Sequence, residues 1–216
     1  MILNRNLFPK KDSPFRVHME DSQAVQLISE QLLSIFPPIV NRDLIIVCIG
    51  TDRSTGDSLG PLIGSKLEEQ PLSAFHVYGT LENPVHAMNL EDTLELIEKK
   101  HRRPFIIGID ACLGRMNSVG KITVAQGPIK PGAAVNKNLP EVGDLHLTGI
   151  VNIGGMMEYF VLQNTRLHTV MKMATIISAS LQDVDKAMTV KNTTRPRFFP
   201  SLKSNLFKSE KKEPQL

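Results

Sequence analysis

The amino-acid sequence predicts a single α/β domain whose sheet is mostly parallel. Apolar runs at residues 44–49, 74–78 and 105–109 are typical of strands that are buried on both faces. Helical patterns separate these runs, and such an alternation implies parallel strands joined by right-handed crossovers. With 216 residues, 41% of them hydrophobic, the chain is long enough for one substantial core.

Helices are predicted wherever apolar residues recur at helical spacing on one face. Before the first strand this pattern ends at Pro37-Pro38, because proline cannot continue a helix. Between the strands and after the last of them the pattern recurs four times. The residues that form the stripes are Val25, Ile28, Leu32 and Ile35; Leu59, Ile63 and Leu67; Leu90, Leu94 and Ile97; Met157, Phe160 and Val161; and Met173, Ile177, Leu181, Val184 and Met188.

The remaining segments predict a further strand, a long loop and two tails. Residues 121–125 are predicted as a strand, and the proline- and glycine-rich residues 127–143 as a loop or irregular edge. We expect residues 1–18 to form a flexible lead and residues 189–216, rich in Lys, Pro, Ser and Asn, to form a disordered tail. The domain itself is predicted to span residues 19–188.

The charge of the chain is unevenly distributed. The formal net charge is +3, but residues 189–216 carry +5 and residues 1–18 carry +3, which leaves −5 on residues 19–188. A nucleic-acid surface needs Lys and Arg gathered on the folded domain, so we expect no direct binding of nucleic acid. An acidic body instead favours basic peptides as substrates.

Cysteine usage and hydropathy predict a cytoplasmic protein. Cys48 and Cys112 form neither a metal-ligand spacing nor a disulfide framework, as expected in a reducing compartment. No apolar run has the length of a secretory signal or a membrane span, so we expect no membrane association. The glycines of residues 50–60 match neither a dinucleotide fingerprint nor a P-loop.

Two aspartates at strand ends are the main candidates for chemistry. Asp57 lies in the loop after residues 44–49, and Asp110 directly follows residues 105–109. If the first strand lies between the other two, both aspartates border the crevice of the open sheet. Two adjacent carboxyl groups share a proton, so one can draw a proton from water while the other polarises a carbonyl. The pair is therefore predicted to hydrolyse amide bonds.

Each of these residues also has an ordinary interpretation. Asp57 can cap the helix that follows it, and Asp110 can close a turn after its strand. Asp52 and Arg53 share the loop of Asp57. Arg53 is a candidate for orienting a substrate carbonyl, whereas an exposed ion pair between Asp52 and Arg53 is the alternative.

His146 is the third candidate, as an accessory residue. In a loop after the fourth strand it would bring an imidazole to the crevice, where two carboxylates and one imidazole suit zinc or nickel. The alternative is a packed or hydrogen-bonded histidine. Cys112 would be a nucleophile only with His146 as its base, and no pattern supports that arrangement, which favours an ordinary small loop residue.

Two motifs at the strand ends carry a family resemblance. They are residues 49–61, Ile-Gly-Thr-Asp-Arg-Ser-Thr-Gly-Asp-Ser-Leu-Gly-Pro, and residues 108–114, Gly-Ile-Asp-Ala-Cys-Leu-Gly. Together they resemble the spore protease YyaC family, in the superfamily of the germination protease and the hydrogenase maturation proteases. The resemblance covers about residues 44–188 and implies a three-layer α/β/α sandwich around a twisted, mostly parallel sheet.

The resemblance also implies roles for individual residues. In the germination protease, two catalytic aspartates occupy loops that match Asp57 and Asp110, with a chemistry similar to that of aspartic peptidases. In the hydrogenase maturation branch, a glutamate matches Asp57, and a later histidine that matches His146 completes a nickel-binding trio. Here Gly56-Asp57 stands in place of an Asp-Glu pair, and Gly-Asp-Leu-His in place of Ser-x-His, which favours the metal-independent branch.

The resemblance thus implies an atypical aspartic endopeptidase that acts on proteins or peptides without a cofactor. It implies a role in sporulation or germination, in the cytoplasm of the forespore or in the spore core. Two alternatives stay open. One is a nickel- or zinc-dependent maturation-type protease that uses Asp57, Asp110 and His146, and the other is a non-catalytic peptide-binding module of the same fold.

Overall fold

The structure, a computed structural model, describes residues 14–37, 41–132 and 139–193, with side chains described as far as Thr189. Within these residues, helices pack on both faces of a six-stranded sheet. In chain order the strands and helices are β1 (Phe15–His18), α1 (Ala24–Ile35), β2 (Leu44–Cys48), α2 (Leu59–Glu69), β3 (Phe75–Tyr78), α3 (Leu90–Lys100), β4 (Phe105–Gly114), β5 (Lys121–Gln126), β6 (Leu145–Ile153), α4 (Glu158–Gln163) and α5 (Leu167–Thr193).

The sheet has the strand order β1-β5-β6-β4-β2-β3. The strands β3, β2, β4 and β6 are parallel, whereas β5 and β1 complete one edge in antiparallel pairing. The first of the three predicted apolar strands, β2, therefore lies between the other two, β3 and β4, and the predicted order is confirmed. In an open sheet of this order, the carboxyl ends of the central strands border the ligand crevice.

Helices cover both faces of the sheet, which confirms the predicted α/β sandwich. Because side chains alternate along a strand, the two faces of the sheet bury different residues. On one face, Ile107 of β4 shares a core with Ile63 of α2 and Ile177 of α5. On the other, Ile45 of β2 packs with Ile97 of α3. The two cores together hold the ends of β2 and β4 in place.

Parts of the two predicted tails belong to regular secondary structure. Within the lead that was expected to be flexible, Phe15–His18 forms the edge strand β1, paired with β5. At the other end, α5 continues through residues 189–193, which were expected to be disordered. The predictions for residues 1–13 and 194–216 lie outside the described residues.

Two segments predicted as loops belong to strands. β4 does not stop at Ile109 but runs to Gly114, and His146 lies in β6. In the predicted long loop, Ile129 and Val142 form an isolated antiparallel bridge, and residues 133–138 lie outside the described residues. No helix in the described part of the chain is long and apolar enough to cross a membrane.

Candidate active site

Asp57 is carried by a turn that is folded tightly against the end of β2. The turn is a short 3₁₀ helix, Gly56–Ser58, immediately before α2. The amide of Thr51 donates a hydrogen bond to the carbonyl oxygen of Asp57 at 3.1 Å, which closes the loop. Gly50 has φ +146°, and a Cβ there would lie 2.0 Å from that same oxygen. A side chain at residue 50 is therefore incompatible with this turn.

The helix that follows Asp57 also approaches β2 too closely for a side chain. A Cβ at Gly60 would lie 2.1 Å from the carbonyl oxygen of Ile49. Ser58 occupies the position before α2 and donates its hydroxyl hydrogen to the carbonyl of Thr55 at 2.7 Å. Asp57 lies one residue earlier, inside the 3₁₀ turn, so Ser58 and not Asp57 occupies the N-cap position of α2.

Asp110 lies inside a strand rather than in a loop, which corrects the prediction. Its neighbour Ile109 is the last residue of β4 that pairs with β2, opposite Cys48. β4 continues because β6 still pairs with it, and Asp110 is opposite Thr148. The carboxyl group therefore lies where the sheet opens on its β2 side. One of its oxygens, Oδ1, accepts a hydrogen bond from the amide of Ala111 at 2.8 Å.

The two aspartates line the same cavity. Its volume is about 500 Å³, within the range of ligand sites in proteins. Asp57 reaches it from the turn before α2, and Asp110 from the end of the β2 pairing. Both residues therefore border one cavity at the end of the sheet where the sequence predicted the crevice.

Asp110 has a strongly altered ionisation. The pKa of its carboxyl group is raised to about 8, chiefly because burial removes the group from bulk water; the hydrogen bond from the amide of Ala111 opposes this rise, and the charge of Asp57 makes the smallest contribution, which also raises the pKa. Asp110 is only half-buried, but it lines the cavity, so its remaining exposure faces a confined space. At neutral pH this carboxyl group is therefore largely protonated and can donate a hydrogen bond.

Of the two further candidates in this loop, Asp52 and Arg53, only one lines the cavity. Arg53 lines the cavity, whereas Asp52 is exposed and is not among the residues that line it. Within the described residues, no ion pair joins them. Arg53 is held through its own amide, which donates to Thr51 Oγ1 at 3.3 Å. The guanidinium of Arg53 is thus the cation of this loop at the site.

His146 is not among the residues that line the cavity, and it lies in the strand β6 rather than in a loop. Its register partner is Gly108, two residues before Asp110 along β4, which corresponds to roughly 7 Å of strand. Its Nδ1 donates a hydrogen bond to the carbonyl oxygen of Gly127 at 2.9 Å. The hydrogen-bonded alternative is therefore realised, and the expected delivery of an imidazole to the crevice is wrong.

The donors of the metal alternative do not converge. Asp57 and Asp110 line the cavity, but His146 lies apart from it. Among the residues that the structure describes, no group of three or more His, Cys, Asp or Glu side chains could hold a metal ion. The proposed trio therefore does not fit a zinc or nickel ion, which needs several ligands around one point.

Cys112 lines the cavity from β4, two residues beyond Asp110. Burial raises the pKa of its thiol to about 11, although the hydroxyl of Thr148 lowers this pKa by a smaller amount. Since the thiolate and not the thiol is the nucleophile, Cys112 is unreactive at neutral pH. It is a small strand residue of the cavity wall, which agrees with the ordinary interpretation except that no loop carries it.

Several residues of the site were not predicted from the sequence. Ser54 lines the cavity with only 5% of its surface exposed, and its Oγ has no hydrogen-bond partner within the described residues. Its place between Arg53 and Asp57 in the first motif was the available signal. Met88 and Tyr159 also line the cavity, from segments whose sequences give no sign of a site.

Comparison with known proteins agrees with the family resemblance of the two motifs. Residues 16–180 match the family described as "Protein of unknown function (DUF1256)". The chain is also 55% identical over 166 residues to the uncharacterized protein YyaC of Bacillus subtilis (strain 168), with 77% of this chain and 81% of that protein covered. The predicted relationship to YyaC is therefore confirmed.

Two solved structures are similar in fold. The NiFe hydrogenase maturation protease HycI from Thermococcus kodakarensis KOD1 aligns with a TM-score of 0.50 at 15% identity, covering 72% of this chain and 99% of that chain. The Hydrogenase 3 maturation protease aligns with a TM-score of 0.42 at 16% identity, covering 65% and 90%. At such identities the likeness concerns the fold alone, and only the first alignment, with its TM-score of 0.50, supports a comparison of folds. By its sequence over residues 16–180, the chain belongs to the DUF1256 family, and it has the α/β fold of the hydrogenase maturation proteases.

Proposed function

We propose that this protein is an atypical aspartic peptidase in which Asp57 and Asp110 activate water. The observation that carries the proposal is that both carboxyl groups line one cavity of about 500 Å³ at the open edge of the sheet. The pKa of Asp110, raised to about 8, supports a division of roles at neutral pH, with one carboxyl group protonated and the other ionised. The fold of a maturation protease is consistent with this chemistry.

In the proposed reaction, the carboxylate of Asp57 accepts a proton from water as the water oxygen bonds to the carbonyl carbon of the scissile peptide. Asp110 donates its proton to the carbonyl oxygen, where negative charge develops. When the tetrahedral intermediate collapses, the C–N bond breaks and the departing nitrogen takes the proton held by Asp57. The re-forming carbonyl returns a proton to Asp110, and both side chains regain their starting states.

Arg53 has a separate proposed role in this reaction. Arg53 lines the same cavity as Asp57 and Asp110. A planar guanidinium donates two parallel hydrogen bonds to oxygen acceptors, which suits the carbonyl groups of a bound main chain. We assign Arg53 to substrate orientation and give Asp52 and His146 no role in the chemistry.

The proposed reaction needs no cofactor, and its metal-dependent alternative is open to a direct test. Purified protein is analysed for nickel and zinc and is assayed after dialysis against EDTA. Activity that survives chelation supports the aspartate pair. Stoichiometric metal that disappears in His146→Ala, together with activity that depends on adding the metal back, would favour the metal-dependent protease.

The cellular setting is a further part of the proposal. The germination protease resemblance supports a cytoplasmic role in sporulation or germination, in the forespore or spore core. The charge of −5 on residues 19–188 supports attraction of basic substrate proteins over a distance. Cleavage that is faster for basic than for acidic proteins at low salt, with the difference shrinking as salt is added, is the expected result; the reverse preference contradicts it.

The experiment that tests the function compares matched aspartate variants. Wild type, Asp57→Asn and Asp110→Asn are each incubated with small basic proteins, and the products are read by intact mass. Asp52→Asn is the control, because it removes an exposed carboxyl group from the same loop outside the cavity. We expect cleavage at the full rate by wild type and the control, and cleavage that is slower by orders of magnitude for both aspartate variants. Peptide binding without cleavage by any of the four proteins would favour the non-catalytic binding module.

A further inference from the structure

One wall of the cavity continues outward as an exposed apolar surface. Tyr159 and Leu162, one helical turn apart on α4, line the cavity. Around Tyr159, four large apolar side chains of residues 156–160 are mostly open to solvent, and we call these four the α4 wall. They are Met156, 82% exposed, Met157, 70%, Tyr159, 67%, and Phe160, 56%.

The cavity has a second exposed apolar side chain at its margin. Met88, in the segment between β3 and α3, is 86% exposed and lines the cavity. Met88 and Tyr159 of the α4 wall therefore come from separate parts of the chain and line the same cavity. Single exposed apolar residues are ordinary, but a group of them around a cavity marks an interaction site.

The helix α4, which carries Tyr159 and Phe160 of the α4 wall, packs directly on the turn that carries Asp57. Leu162 packs on Gly56, where an added Cβ would lie 2.6 Å from its Cδ2 atom. Gly56 begins the 3₁₀ turn and precedes Asp57. A ligand that rests on the α4 wall is therefore positioned relative to the carboxyl group of Asp57 through a single layer of packed side chains.

Among the residues that the structure describes, the cavity has no acidic residue that could bind a basic side chain of the substrate without taking part in the reaction. The acidic residues that line the described part of the cavity are Asp57 and Asp110, the reacting pair itself. Its basic residues are Arg53, His86 and Lys130, and Lys130 is already paired with Glu141 at 3.0 Å. The charge of the acidic body acts over a distance and is screened beyond about 10 Å at 0.1 M salt. Contact at the site thus favours apolar groups.

We propose that the site selects an extended substrate segment with large apolar side chains beside the scissile bond, held between Met88 and the α4 wall. This inference rests on the proposed peptidase function and names its substrate class. Methionine suits such a surface because its side chain is flexible and polarisable, so it adapts to different apolar partners. Tyr159 and Phe160 supply rigid aromatic area at small conformational cost.

The test measures peptide binding on an inactive protein, so that it does not depend on turnover. Fluorescent peptides of equal length and net charge, with Leu and Phe or with Ser and Asn at the central positions, are titrated by anisotropy into the Asp57→Asn, Asp110→Asn double variant. We expect the apolar peptide to bind at least about tenfold more tightly, as burial of one large side chain predicts. Equal affinities overturn the proposal.

Surface variants then locate the binding. Met88→Gln and Tyr159→Ser, two residues that line the cavity, are each made in the double variant and are expected to weaken binding of the apolar peptide by about tenfold and to leave binding of the polar peptide unchanged. Met116→Gln is the matched control, because Met116 is 77% exposed but does not line the cavity. Equal loss in all three variants, or loss in none, overturns the assignment of this surface.

Two further outcomes separate this inference from the proposed function. If the wild-type protein cleaves peptides with no preference for apolar ones, the proposed peptidase function stands and the proposed substrate class is wrong. Apolar binding with no cleavage by the wild-type protein supports the surface and rejects the peptidase. Another possible occupant of this surface is a second copy of this chain, and analytical ultracentrifugation tests for it. Self-association that Phe160→Ser abolishes, and that the apolar peptide does not displace, would overturn the proposal.

Discussion

The turn that carries Asp57 and the strand that carries Asp110 hold the same functional group in opposite ways. Asp57 lies in a short 3₁₀ turn whose path depends on close backbone contacts at Gly50 and Gly60. Asp110 lies in a strand whose hydrogen bonds to β6 continue beyond the end of β2. One position is thus set by local backbone geometry and the other by long-range strand pairing.

This difference teaches how two identical side chains can take different roles. Burial in the sheet raises the pKa of Asp110 to about 8, and the charge of Asp57 adds to that rise. A neutral Asp110 is a hydrogen-bond donor, and an ionised partner is a base. Because the turn and the strand place their carboxyl groups in different environments, we expect the two aspartates to respond unequally to the same substitution.

The largest expected effect is therefore an unequal loss of activity. Asn at residue 110 keeps a hydrogen-bond donor, whereas Asn at residue 57 removes the base altogether. We expect kcat to fall by about 10³-fold or more in Asp57→Asn and by about 10²-fold in Asp110→Asn, in line with the usual size of general acid–base effects. Single-turnover cleavage rates measure both. Equal losses, or a larger loss at residue 110, would show that the division of roles is wrong.

The next effect concerns stability as a function of pH. The pKa of Asp110 is about 8 in the folded chain, above the ordinary value of 3.8 for an aspartate side chain in water. Between these values only the folded chain holds the proton, so the free energy of unfolding falls as pH rises through this window. The one-proton limit is about 1.4 kcal/mol per pH unit, or about 2.7 kcal/mol between pH 5 and pH 7.

Urea unfolding at several pH values checks this slope against Asp110→Asn. The variant keeps the shape of the side chain but not its titration, so the difference between the two proteins isolates residue 110. Water in the cavity would lower the pKa of Asp110 in the folded chain. The pH range over which stability falls would then be narrower, but the loss per pH unit within that range would be the same. Parallel stability curves for wild type and variant would mean that Asp110 ionises normally and that the two regions are alike.

A smaller effect tests the backbone packing on the Asp57 side. Gly60→Ala places a Cβ 2.1 Å from a main-chain oxygen of Ile49, so α2 must move away from β2. We expect a loss of about 2 kcal/mol in the free energy of unfolding, in the range for overpacking. The control is Gly127→Ala, where φ is +89° but a Cβ meets nothing within 4 Å, so only about 1 kcal/mol of backbone strain is expected. Equal losses contradict the close packing.

The same contrast explains what the sequence could and could not predict. The order of β3, β2 and β4 and the approach of Asp57 to Asp110 were predictable, because buried parallel strands have a strong apolar signature. The extension of β4 beyond Ile109 was not predictable, since Asp110 and Gly114 resemble a loop locally and only pairing with β6 keeps them extended. The edge strand β1 was missed for the same reason, because it depends on β5.

His146 shows a signal that was present in the sequence and not used. In β6 the side chains of Leu145, Leu147 and Val151 are buried, and the residues between them are half-buried, apart from the buried Gly149. Such alternation is typical of a strand rather than a loop. The apolar residues at every second position therefore favour a strand at His146, and a histidine within that strand is not expected at the crevice.

A smaller change still is expected at Ser54, beside the turn of Asp57. Its buried Oγ has no hydrogen-bond partner within the described residues, so Ser54→Ala removes an unsatisfied polar group. We expect the free energy of unfolding to rise by about 1 kcal/mol. The matched control is Ser58→Ala in the same turn, which loses the hydrogen bond to Thr55 and is expected to fall by about 1 kcal/mol. Destabilisation of both variants would show that Ser54 has a partner of its own.

The smallest expected effect on activity is that of His146→Ala. The Nδ1 hydrogen bond to Gly127 lies outside the cavity, so its loss affects the connection after β5 rather than the reacting pair. We expect kcat to stay within about twofold of wild type, while the free energy of unfolding falls by about 1 kcal/mol because one hydrogen bond is lost. Initial rates and urea unfolding on the same preparation measure both. A loss of activity comparable to that of Asp110→Asn, with stability unchanged, would show that His146 takes part in the reaction. The site would then consist of Asp57, Asp110 and His146 rather than of the aspartate pair alone.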